Sequence, residues 1–185
     1  MKLGINKEWV FMPYLLIAAV AVARLAISHP YNFVPIFSCL IFFAMARPRR
    51  EYAIPFLLLM GVDIYVTRIR YGYPLTGDHA VTWLWYLVAI LAGGALLRGT
   101  SSTSRAVVCS LLASISFFVV SNFAVWAEWG MYAKTWSGLG ECYIAALPFF
   151  RNSLASEMMA SALIFTLAHF AGRWMGAQST QTACS

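Results

Sequence analysis

Charge is what this sequence has least of: seven Asp and Glu and thirteen Lys and Arg in 185 residues, 11% of the chain, against 61% hydrophobic residues. A soluble domain has about a quarter of its residues charged, so a water-facing surface of ordinary size is excluded. Histidine and cysteine are also sparse. Cys39, Cys109, Cys142 and Cys184 form no C-x-x-C and have no His at ligand spacing, so no metal site and no disulfide framework are expected. The hydroxyl-rich Arg98-Gly-Thr-Ser-Ser-Thr-Ser-Arg105 lacks the Gly-Lys-Ser/Thr of a phosphate-binding loop, so it reads as a plain connector. No cofactor, ATPase activity or nucleic-acid partner is expected of this chain itself.

What fills the sequence is hydrocarbon, with a mean hydropathy of +0.72. The reading is an all-α integral membrane bundle of six transmembrane helices, with membrane lipid as its solvent. The apolar runs are Val10 to Ser28, Phe33 to Ala46, Tyr52 to Thr67, Val81 to Leu97, Ala106 to Ala127 and Pro148 to Gly172. The second has only 14 residues, short for a span, and is expected to be re-entrant or partly buried. Residues 1–175 form one domain and 176–185 a polar tail expected to be disordered. Ala21-Val22-Ala23 mimics a signal-peptidase site, but the apolar run continues past it, so an uncleaved first helix is expected.

Six spans place both termini on one side. Lys2, Lys7, Arg47, Arg49, Arg50, Arg98, Arg105 and Arg173 fall in loops on that side, against Arg68, Arg70, Lys134 and Arg151 on the other. The richer side is cytoplasmic by the positive-inside rule. The connector Glu128 to Leu147, dense in Trp, Tyr and Gly, then faces outward and reads as a lid.

Helical rise sets Arg24 roughly 6 Å, Asp63 about 7.5 Å and Glu157 about 9 Å inside the outer boundary, with Asn122 at a similar depth. A charge costs roughly 2.5–3.5 kcal/mol at the bilayer centre and less near the interface, so these groups face one another or water. Ser153, Glu157 and Ser161 form one stripe, Asp63 and Thr67 another, and Phe118, Asn122 and Trp126 a third. The same charges also read as ion pairs that only hold the bundle together, Arg24 with Asp63 or Glu157. His29, His79 and His169 lie on separated segments and read as structural.

Asn32-Phe33-x-Pro35, Asp63, Asn122-Phe-x-x-Trp126, Tyr132, Gly138-Leu139, Cys142-Tyr143 and Leu147-Pro-Phe-Phe-Arg-Asn152 together resemble an uncharacterised family of bacterial membrane proteins. That family is similar to the substrate-binding S components of energy-coupling factor (ECF) transporters. The resemblance implies an S-component-like fold in the bacterial cytoplasmic membrane and capture of a vitamin-like small molecule at the extracytoplasmic face. It also implies docking, through Ala19 and Ala23, on a transmembrane coupling subunit driven by an ATPase pair.

The candidate substrate-binding residues are Arg24, Asn32, Asp63, Asn122, Trp126, Tyr132, Arg151, Asn152 and Glu157. The competing reading is a structural or accessory subunit of a larger membrane complex. An intramembrane enzyme is not expected, because Asp63 and Glu157 come with no nucleophile or metal-ligand set.

Overall fold

A backbone amide in hydrocarbon finds no water, so apolar runs of this kind close into helices that pair each amide internally. The computed structural model describes residues 10–26, 33–99 and 102–182, with side chains as far as residue 170. Among the described residues are six α-helices: α1 Met12–Ala26, α2 Ile36–Ala46, α3 Ala53–Tyr65, α4 Gly77–Leu96, α5 Thr103–Glu128 and α6 Trp136–Thr182. A short 3₁₀ turn, Arg49–Glu51, precedes α3, and a π-helical turn, Val66–Arg70, extends it. The expected turn at residues 29–32 lies outside the described residues.

Four stretches are long and apolar enough to cross a membrane: Arg49–Arg70, Gly77–Leu96, Thr103–Glu128 and Trp136–Phe170. The chain is a helical membrane protein. Helices α1 and α2, with 15 and 11 residues, are shorter. Every side chain from Phe37 to Ala44 is buried, so α2 is apolar on all faces because it is surrounded, by α1, α4, α5 and α6. Its Leu40 and Phe43 meet Ile17, Leu59, Tyr86 and Ile90 in the main core.

Small residues set the closest approaches. A side chain on Gly93 would bring its first carbon within 3.1 Å of the Ile41 backbone, so glycine is what lets α4 lie against α2. On α5, Ala106, Ser110 and Ser114 are the buried stripe. Ser110 donates to Ala106 O at 3.0 Å within its own helix, which leaves a short, satisfied side chain at the contact. At the end carrying Arg47, the turns are tied by Arg47 Nε donating to Glu51 at 2.7 Å, Arg98 donating to Arg47 O at 2.6 Å and Tyr52 Oη donating to Ala44 O at 2.8 Å.

The largest departure from the sequence reading is in α6. It begins at Trp136, not Pro148, so the expected connector from Glu128 to Leu147 shrinks to residues 129–135. Thr135 starts the helix by accepting from Gly138 N at 3.2 Å through its hydroxyl and from Leu139 N at 3.0 Å through its carbonyl. The segment then packs on α5: Phe150 stacks on Phe118 at 4.2 Å, and Tyr143 Oη donates to Val119 O at 2.6 Å. Glycines that read as loop are helical here because this packing outweighs their weak propensity. Pro148 sits inside the helix. The polar tail, expected to be disordered, continues α6 to Thr182.

Replacing Gly93 by Leu should therefore lower stability by about 1–3 kcal/mol, as overpacking against backbone does. Gly61→Ala, where an added carbon meets nothing within 4 Å, should be near neutral. Thermal unfolding of both variants in nanodiscs checks the pair, and equal melting temperatures would contradict the close α2–α4 contact.

Candidate functional site

Arg24 stands in the last turn of α1, and its guanidinium forms an ion pair with Asp63 of α3. The Asp63 side chain is 5% exposed. One turn further along, Thr67 Oγ1 lies 3.1 Å from His79 Nε2. His79 belongs to the first turn of α4, where its Nδ1 and the Thr76 side chain form a reciprocal cap. Its ring meets Trp83 edge-on at 6.3 Å. Tyr86 follows on the same face, at the i, i+4, i+7 spacing of His79, Trp83 and Tyr86, and is 1% exposed. Its hydroxyl faces Arg24 and lies against the Asp63 carboxylate, without a well-formed hydrogen bond to either.

Among the described residues, five buried side-chain atoms make no hydrogen bond: Arg24 Nε, Asp63 Oδ2, Trp83 Nε1, Tyr86 Oη and Trp129 Nε1. Folded proteins pair nearly all such groups. Four of the five belong to this one cluster of α1, α3 and α4. The cluster therefore has hydrogen-bonding capacity that the protein itself does not use.

Glu157 serves a different purpose. Helix α6 brings it, 2% exposed, to the start of α2, where its carboxylate accepts from Phe37 N at 2.8 Å, Ser38 N at 2.9 Å and the Ser38 hydroxyl. The first amides of a helix have no partner within it, and an anion complements their dipole. Glu157 thus closes a helix end that lies inside the bundle. The expected partner of Arg24 is Asp63, not Glu157. The two polar centres are neighbours through Phe37, whose ring is 6.5 Å from that of Tyr86.

The other expected residues lie apart from the ion pair. Asn122 Nδ2 donates to Phe118 O at 2.8 Å within α5, and Trp126 Nε1 donates to Ala133 O at 2.9 Å, with Lys134 5.4 Å from the centre of its ring. Tyr132 and Asn152 are half-buried and Arg151 is exposed. Asn32 lies outside the described residues. On α1, Ala19 is exposed and Ala23 half-buried. An open groove of about 700 Å³ runs between α1 and α3, but it is walled by Leu25, Leu57, Leu58 and similar apolar groups with Arg70, and none of the four unpaired groups lines it.

Sequence reasoning missed His79, Trp83 and Tyr86. The histidine stands apart in sequence from His29 and His169, and aromatics at a helix start fit an interfacial belt equally well, although the helical spacing of the three carries the signal.

A family of unknown function, DUF6580, matches residues 5–180. The chain belongs to DUF6580. The match runs from ahead of α1 into the last turn of α6, so the cluster and the Glu157 cap both lie within the DUF6580 region. No curated protein and no solved structure matches the chain. The expected likeness to an uncharacterised family is met by DUF6580.

Two substitutions separate the two centres. Tyr86→Phe removes an unpaired hydroxyl and should leave the melting temperature of the empty protein unchanged or higher, since an unsatisfied buried group costs about 1–3 kcal/mol. Glu157→Ala strands the Phe37 and Ser38 amides and should cost about 3 kcal/mol. Thermal unfolding reads both. A marked loss in Tyr86→Phe would show that the hydroxyl is already used within the fold.

Proposed function

We propose that this DUF6580 protein is the substrate-binding membrane subunit of a transporter, of the ECF S-component kind, taking a vitamin-like small molecule from the extracytoplasmic side. The observation that carries this reading is the set of four unpaired, buried polar groups on α1, α3 and α4. In a bilayer-embedded bundle such groups gain most from a bound polar molecule, and intramembrane charges mark substrate paths more often than scaffolding. The surrounding Trp83, Tyr86 and Phe37 rings supply the flat apolar walls that small-molecule sites use.

The charge distribution supports the orientation, with both termini in the cytoplasm and the Arg24 end outside. In this reading pumping is driven by a coupling subunit and an ATPase pair docked along α1, where Ala19 is open to contact.

One observation favours the competing role of a structural subunit: Glu157 is wholly engaged in closing α2. That role predicts a protein without a small-molecule ligand. Native mass spectrometry of gently extracted protein should instead show a retained small molecule, and an extract of soluble metabolites should raise the melting temperature of stripped protein. Folded, empty protein that no extract stabilises would contradict the binding role.

A further inference from the structure

We infer that the Arg24–Asp63 cluster takes a ligand with no net charge that presents a hydrogen-bond donor beside acceptors, the pattern of a primary amide or lactam on a flat ring. This rests on the binding role proposed above and narrows its substrate class.

The charge argument comes first. Arg24 and Asp63 are paired, so their charges cancel within the cluster. His79, which also acts on Asp63, is held by Thr67 at Nε2 and by Thr76 and the Asp78 carboxylate at Nδ1, and the Glu157 carboxylate is occupied by the α2 amides. A charged ligand would thus add an uncompensated charge below the membrane surface, a penalty worth about tenfold in affinity at this depth.

The hydrogen-bonding argument gives the pattern. Arg24 Nε–H and Trp83 Nε1–H only donate, Asp63 Oδ2 only accepts, and Tyr86 Oη, which lies against the Asp63 carboxylate, does either. Their complement carries acceptors for the two N–H groups and an N–H for the carboxylate, with one further position of either kind. An amide offers that combination on a single planar group. A carboxylate offers acceptors alone and would meet Asp63 with like charge. An ammonium offers donors alone and would leave both N–H groups unpaired.

The test uses full-length protein, stripped of bound molecules, in phosphatidylcholine nanodiscs. Three probes share one ring and differ at one group: nicotinamide, nicotinate and 3-(aminomethyl)pyridine. Nicotinamide should raise the melting temperature in a concentration-dependent way, with an apparent affinity about tenfold above the two charged probes. Tyr86→Phe and Trp83→Phe should each weaken that response by about five- to tenfold without lowering the melting temperature of the empty protein. A stronger response to nicotinate or to the ammonium probe would overturn the neutral-ligand inference while leaving a binding role in place. An amide response unchanged in both variants would place binding elsewhere and overturn it too. No response to any probe overturns the proposed class, whereas the binding role itself stands or falls with the metabolite-extract measurement.

Discussion

The fold depends on a single constraint: a polar group enclosed by hydrocarbon must find its partner inside the protein. The short central helix α2 shows this most clearly. A helix of 11 residues cannot cross a bilayer of about 30 Å, so one of its ends lies within the bundle with unpaired amides. Glu157 supplies the acceptors from α6, 119 and 120 residues away in sequence from the amides it caps. Because α2 touches α1, α4, α5 and α6, the carboxylate that ends it also fixes the position of the central packing element. The Phe37 ring next to that cap leans on Tyr86, which links the cap to the Arg24–Asp63 pair.

The ion pair obeys the constraint only in part. Asp63 and Arg24 satisfy each other through one oxygen and one terminal nitrogen, leaving Asp63 Oδ2 and Arg24 Nε unused, and Tyr86 and Trp83 add a hydroxyl and an N–H to the surplus. Elsewhere among the described residues, Trp129 Nε1 apart, buried polar side chains are paired: serines bond back to their own helices, Trp85 donates to Ser116 at 3.0 Å, and Glu128 accepts from the first two amides of α4. Against that background, a surplus gathered in one place is a property of the site.

Much of the architecture was legible because hydrophobic run length reports burial directly. The helical class, the short second helix and the pairing of Arg24 with one of two carboxylates, Asp63 or Glu157, follow from where apolar residues start and stop and from the cost of a lone intramembrane charge. The first turns of α6 were not legible, because Gly138, Gly140 and Pro148 mimic a loop and its start. Only the tertiary contacts of Phe150 with Phe118 and of Tyr143 with Val119 decide for helix. The role of Glu157 was hidden for a similar reason: a carboxylate's choice between a guanidinium and a distant helix end depends on the three-dimensional approach of α6 to α2. Trp83 and Tyr86 were obscured by composition, since aromatic residues near a helix end fit the interfacial belt as well as they fit a pocket.

The central claim is that the unpaired groups of α1, α3 and α4 belong to a ligand site. A high-resolution density map of the gently purified protein tests it most directly, around Arg24 Nε, Asp63 Oδ2 and Tyr86 Oη. The account predicts continuous density for an organic molecule within hydrogen-bond reach of at least three of these groups and Trp83 Nε1. Isolated water-sized peaks, or side chains rearranged to pair all four atoms with one another, would contradict it.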